Sequence, residues 1–202
     1  MTGPSATEPA GSARQAELLE LAYRYTVEHG WAELSLRPLA KAVGSSPRVL
    51  LYLFGSKDEL IRALLARARA DELSLLDQVR GQGLAEVITE IWAWLAADAH
   101  RGLLKLWVEG YGRSLTEPDG PWAGFAAATV TDWLAVLAAA QPAARRDSAD
   151  GAAERTLALA VLRGAMLDLL ATGDADRAGA AVRRYLASSS QHFAGRDGGE
   201  PS

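Results

Sequence analysis

The sequence predicts an all-α protein, with an N-terminal domain of three helices followed by a larger domain of about six. Three observations predict it. Apolar residues recur at helical spacing over long segments, as in Leu36, Leu39, Ala40 and Val43. Serine, aspartate, proline and glycine fall at the starts and stops of those segments, where helix caps need them. No stretch alternates as a strand does, and no repeat recurs. At 202 residues and 49% hydrophobic composition, the chain can bury a small domain and a larger cored one.

Residues 1–12 are rich in Gly, Pro, Ser and Thr, lack Lys and Arg, and are predicted to be a disordered tail. A first helix is expected from about Ser12 to Glu28, with Ala16, Leu19, Leu21, Ala22, Tyr23 and Val27 among its apolar positions, and it ends at His29-Gly30. Ser35 caps a second helix starting at Leu36, with Pro38 in the first turn, where a missing N–H is tolerated. Gly44 ends it in the left-handed conformation. Ser46 caps a third helix with Pro47 at its first position, Val49, Leu50, Leu53 and Phe54 on its apolar side, and Gly55 as its stop. Ser56 and Glu59 form a capping box that opens a helix through Lys57, Leu60 and Ile61. That helix continues past Leu76 to near Arg80-Gly81.

Further helices are expected at about 84–99 and 102–115. The run Thr116-Glu117-Pro118-Asp119-Gly120-Pro121 breaks the pattern. A long helix resumes near Pro121 and runs to about Ala139. A polar loop follows from Gln141-Pro142 to Gly151. Two last helices, about Ala152–Ala171 and Ala175–Phe193, are separated by Gly173 and the capping Asp174. The predicted organisation is a three-helix domain at 13–60, a larger helical domain at 61–194 and a flexible tail at 195–202.

Composition narrows the function. There is no cysteine, hence no disulfide, zinc-thiolate site or thiol nucleophile. His29, His100 and His192 stand alone, without a partner at metal-ligand spacing. No phosphate-binding glycine loop or nucleophile elbow occurs. No enzyme activity, metal or cofactor is expected. No apolar run is long enough to span a membrane, the first residues lack the order of a secretory signal, and a cytoplasmic location is expected.

Net charge is −4, an unusual balance for a nucleic-acid binder, but its distribution is uneven. Between Trp31 and Lys57 lie Arg37, Lys41, Arg48 and Lys57 against the single acid Glu33. A net +3 there leaves −7 on the remainder. Phosphate contact needs local charge, so a basic tip on an acidic body suffices.

Two short helices joined by a tight turn, followed by a capped third, are how a helix-turn-helix presents a small helix to the major groove. The punctuation of this stretch resembles the DNA-binding region of the TetR family of transcriptional regulators. The residues that carry the resemblance are Gly30, Leu34-Ser35-Leu36, Leu39-Ala40, Gly44, Ser46-Pro47 and Phe54-Gly55-Ser56-Lys57, over roughly Ala13 to Leu65. The DNA-binding candidates are Ser35, Arg37, Ser46, Pro47, Arg48, Val49, Tyr52 and Lys57. Arg48, at the second position of the reading helix, is the candidate for a bidentate contact to guanine, with phosphate contact as the alternative. Pro47 and Val49 suit a thymine methyl. Ser35, Arg37, Tyr52 and Lys57 are phosphate candidates. The chain departs from the family in having Leu51 where Tyr is usual and Leu53 where His is frequent, with its aromatic at Tyr52.

The resemblance also implies a larger domain that encloses a small-molecule pocket. Trp94, Trp107, Tyr111, Trp122, Phe125, Trp133 and Met166 are the candidates for lining it, with ordinary core packing as the alternative. It implies a homodimer formed by the last two helices. Leu157, Val161, Gly164, Ala165, Asp168, Ala178, Val182 and Tyr185 are its candidate interface, a purely intrachain core being the alternative. The implied function is a dimeric repressor that binds a palindromic operator in double-stranded DNA and is released by a small apolar or aromatic effector. Two other readings stay open: a constitutive DNA-binding regulator without ligand, and a helical interaction module that has lost DNA recognition.

Overall fold

A computed structural model describes residues 10–76 and 83–194. Residues 1–9 of the tail expected at 1–12, the tail expected at 195–202 and the helix end expected near Arg80-Gly81 lie outside the described residues, while residues 10–12 belong to α1 instead of the tail. Within them the chain forms α1 (Ala10–His29), α2 (Leu36–Ala42), α3 (Pro47–Phe54), α4 (Lys57–Leu76), α5 (Leu84–Leu95), α6 (Arg101–Thr116), α7 (Phe125–Ala139), α8 (Ala143–Arg146), α9 (Ala149–Thr172) and α10 (Ala175–Ala194). A 3-10 turn at Asp98–His100 precedes α6. The described residues contain no strand, as expected of an all-α chain.

Four boundaries differ from the sequence reading. The first helix starts two residues earlier, at Ala10. α5 stops at Leu95, and the 3-10 turn takes the residues expected to continue it. α7 starts at Phe125, because Pro121–Gly124 form a turn instead of the first helical residues. The loop expected from Gln141 to Gly151 contains the short helix α8, and α9 begins at Ala149 with Ser148 as its cap, accepting from the Gly151 N–H at 3.0 Å. The corner holds because its polar groups are paired. The buried Gln141 amide donates to the Gly151 carbonyl at 3.1 Å and to Glu154 at 3.0 Å, while Arg146 donates to the Ala138 carbonyl at 3.1 Å.

The chain divides into two compact units, one of residues 1–72 and 102–128, the other of residues 73–101 and 129–202. The boundary expected between Leu60 and Ile61 does not coincide with this division. Ile61, Leu64, Leu65 and Ala68 are buried in one core with Leu18, Ala22, Leu34, Leu39, Leu50 and Phe54, and with Leu106, Trp122 and Phe125 from α6 and the α7 start.

A half-buried polar cluster ties α1 to α4 in this first unit. Arg67 is ion-paired with both Glu20 and Asp71, and Tyr23 donates its hydroxyl to Asp71 at 2.9 Å. The guanidinium also lies over the Tyr23 ring, 4.8 Å from its centroid. Burial, and then the Asp71 carboxylate, push the Tyr23 phenol above its ordinary range.

In the second unit α9 and α10 pack on each other and both pack on α5. Its buried side chains include Ile88, Ile91 and Leu95 from α5, Trp133 and Leu137 from α7, Leu162, Met166 and Leu169 from α9, and Val182 from α10. No helix among the described residues is long and apolar enough to cross a membrane.

Candidate nucleic-acid interface

The turn between α2 and α3 is built by three residues whose backbone roles the sequence announces. Gly44 adopts φ +63°, Gly44 N–H donates to the Lys41 carbonyl at 3.3 Å, and Ser45 N–H donates to the Ala40 carbonyl at 2.8 Å. That pair of bonds is the Schellman motif, which needs a left-handed residue and therefore favours glycine. Ser46 then caps α3: its hydroxyl accepts from the Val49 N–H at 3.2 Å, with Pro47 in the first turn. Gly55, at φ +85°, closes the other end by donating to the Leu51 carbonyl at 2.8 Å. Ser46→Ala is expected to cost about 1 kcal/mol, read as a lower urea midpoint, because it leaves an unpaired N–H at the start of α3.

Only Leu50 and Phe54 of α3 are buried. At 100° per residue, the direction opposite these two is that of Tyr52 and Arg48, four residues apart on one ridge. Tyr52 is 85% exposed, with Val49 at 40% and Leu51 at 38% on the two flanks. The helix is thus held by its two apolar anchors and presents the opposite edge to solvent. A further support was not visible in the sequence. Gln15 of α1 donates its amide to the Leu53 carbonyl at 2.8 Å, satisfying an acceptor at the end of α3 that no helical N–H reaches. A lone glutamine carries no signal of such a partner.

The serine hydroxyls divide by role. Ser35 stands at the N-cap of α2 in extended conformation but makes no side-chain cap bond, so the capping role expected of it is not realised and its hydroxyl is exposed. Ser56 accepts from the Glu59 N–H at 3.1 Å, while the Glu59 carboxylate is engaged by Arg62. One half of the expected capping box forms.

The cations are distributed just as unevenly. Arg14, Arg62, Arg67 and Arg113 of the first unit each have an acidic partner. Arg37, Lys41, Arg48 and Lys57 are exposed, and none of the four is ion-paired with a described residue. Lys57 also begins α4, where a cation is unfavourable to the helix dipole.

Residues 18–64 match the family model described as bacterial regulatory proteins, tetR family. Over these residues the chain is similar to the TetR family. The helix-turn-helix of α2 and α3 lies inside the matched residues. Among curated relatives, the transcriptional repressor AcnR of Corynebacterium diphtheriae is 35% identical over 91 residues, 42% of this chain and 46% of that protein. The match spans less than half of that relative's length. Solved structures extend the likeness over the helical fold. A TetR transcription regulator from Haloarcula marismortui superimposes with a TM-score of 0.69 at 16% identity, over 86% of this chain and 94% of the other. The multidrug binding protein EbrR, complexed with proflavin, does so with a TM-score of 0.57 at 27% identity, over 85% of this chain and 98% of the other.

The chain distributes the aromatic candidates between its two units. Trp107, Tyr111, Trp122 and Phe125 are in the first. Trp122 meets Trp31 edge-on, with centroids 5.0 Å apart, and Arg113 lies over its ring. Trp107 donates its indole N–H to Glu72 at 3.2 Å and tilts against Tyr111. Trp94, Trp133 and Met166 are in the second unit, where Trp94 stacks on His100 at 4.0 Å and the other two are buried.

Two concavities lie near these elements. In the first unit, a groove of about 320 Å³ is lined by Phe125 with Arg62, Leu65, Arg69 and Pro121, among others. In the second, a hollow of about 210 Å³ is lined by Leu84, Ala85, Ile88, Glu154, Tyr185 and Leu186, with Ser189. Of the predicted ligand residues only Phe125 borders either. Among the described residues no group of three His, Asp or Glu is placed to hold a metal ion.

The interface candidates also separate. Ala165, Ala178 and Val182 are buried within the chain, so they are not on an outer face. Tyr185 lines the hollow, and burial pushes its phenol above the ordinary value. Asp168 is paired with Arg177 at 2.8 Å, and Val161 is half-buried. Leu157 and Gly164 remain outside. They belong to a stripe of exposed residues, Leu157, Ala160, Gly164, Leu167 and Ala171, at alternating spacings of three and four.

Proposed function

We propose that this chain is a dimeric, ligand-responsive transcriptional repressor acting in the cytoplasm. The observation that carries the reading is the α3 edge: Arg48 and Tyr52 face outward, and the four cations from Arg37 to Lys57 are ion-paired with no described residue. An unpaired cation beside an exposed helix edge supplies phosphate contacts, and the helix edge supplies base contacts. A two-fold dimer would bring two such edges to a palindromic operator, with half-sites about 34–36 Å apart or a multiple of that.

The charge-free stripe on α9 supports the dimer. A row of Leu, Ala and Gly has no other described residue covering it, and small side chains allow a second helix to approach closely. The repressor assignment is supported by the name of the AcnR relative, and ligand response by the EbrR structure with its bound dye. A small molecule held in the second unit would favour a conformation whose two heads no longer match the operator. Coupling of this kind is typically about 1–3 kcal/mol and reciprocal, so operator DNA should weaken ligand binding by the same factor. Titration of candidate effectors against the six tryptophans, with and without operator, tests it.

Arg48→Ala is expected to lower operator affinity by about 1–3 kcal/mol and to relax preference at one base pair per half-site. Gel-shift titration on the selected operator and its single-base variants reads both. A uniform loss on every sequence would reassign Arg48 to phosphate. A constitutive regulator is the second reading. The filled core around Trp31, Trp122 and Phe125 favours it, since these aromatics pack on protein.

A further inference from the structure

The exposed chemistry of α3 is restricted enough to say what kind of half-site it reads. Its outward residues are Arg48, Val49, Leu51 and Tyr52. None is Asn, Gln, Asp or Glu. The Ser46 hydroxyl at the helix start is occupied as acceptor by the Val49 N–H. A bidentate adenine contact needs an Asn or Gln amide, and a cytosine amino group needs a carboxylate. Neither is present on this helix. What remains is one guanidinium, suited to guanine O6 and N7, the Tyr52 phenol on the same ridge, whose hydroxyl suits a phosphate oxygen, and aliphatic surface, suited to the one apolar group in the major groove, the thymine C5 methyl.

The arrangement adds to the chemistry. Arg48 and Tyr52 form the central ridge, and Val49 and Leu51 diverge from it on opposite sides. When the ridge enters the groove, both aliphatic side chains lose water to whatever flanks the Arg48 contact. A polar base edge there would be desolvated without a partner, whereas a methyl group would not.

We infer that each half-site of this protein's operator contains a guanine bordered by thymine methyl groups, with Arg48 reading the guanine and Val49 and Leu51 packing on the methyls. This rests on the DNA-binding reading above. It makes no use of the family's usual tyrosine contact, whose position Leu51 occupies.

The test starts from selection of bound fragments out of random duplexes by the full chain. In the selected duplex each thymine is replaced singly by deoxyuridine, which removes the methyl and nothing else. The expected result is a loss of about three- to fivefold at thymines beside the guanine, the size of one buried methyl. Val49→Ala or Leu51→Ala, with helicity checked by circular dichroism, should abolish that sensitivity at one thymine position each. Selected duplexes that bind unchanged with deoxyuridine at every position would overturn the inference and leave the DNA-binding reading standing. Failure to enrich any duplex would overturn both.

Discussion

Trp31→Ala is expected to destabilise the first unit by about 3–5 kcal/mol, the range for truncating a large buried aromatic. Trp31 is 4% exposed and sits at the entry to the helix-turn-helix. Its indole N–H donates to the Leu106 carbonyl at 2.8 Å, and its backbone N–H donates to Glu109 at 3.0 Å. Its ring meets Trp122 edge-on and lies against Gly110, where an added Cβ would come within 3.3 Å of the indole nitrogen. One side chain thus joins the α1–α2 connection to α6 and to the turn before α7. Removal would leave a cavity ringed by helices that are each fixed by other contacts, so little collapse can relieve it.

The melting temperature should fall by about 6–20 °C, at roughly 2–4 °C per kcal/mol for a chain of this size. Trp31→Phe should cost less, since it keeps most of the packing and loses only the donor. The Leu106 carbonyl, in mid-helix, keeps its helical partner. Urea unfolding followed by circular dichroism separates the two variants. Equal losses would mean that the hydrogen bond, and not the ring, dominates.

The same residues show how far the sequence could be read. The bounds of α2 and α3 were legible because each is set by local backbone chemistry: extended serines before Leu36 and Pro47, and left-handed glycines at positions 44 and 55. Such signals need no knowledge of the rest of the chain. Helix α8 was not legible. Four residues, Ala143–Arg146, show no periodicity, and they are helical because Gln141 and Arg146 find partners at the start of α9 and the end of α7.

Partners were the other gap. The spacing of Trp107 and Tyr111 places them on one face, but nothing in the spacing says that Trp122 meets Trp31, far away in the chain. Periodicity tells which side of a helix is covered, not by what. For α9, apolar nearly all round, it could not separate Ala165, which meets the chain's own core, from Gly164, which does not. One residue is a 100° turn, and only the packed structure decides between the two sides.

That separation leads to the most discriminating substitution for the proposed assembly, Gly164→Glu. An added Cβ at Gly164 meets nothing within 4 Å inside the chain, so the subunit itself has room for the change. Glycine inside a helix costs about 1 kcal/mol relative to good helix formers, so a solitary subunit should become slightly more stable. In a two-fold dimer built on the Leu157–Ala171 stripe the outcome reverses. Each glutamate would lie at the contact among Ala160, Leu167 and their copies, and uncompensated charge buried this way costs about 3–5 kcal/mol. Dimer affinity should fall by about two to four orders of magnitude, and operator affinity with it, since each subunit would then present a single reading head. Sedimentation and gel shift measure the two losses, and thermal unfolding of the separated subunit measures the gain. The opposite signs are what a surface outside the subunit's fold but inside its assembly requires. A variant that remained dimeric with undiminished operator affinity would place the contact elsewhere.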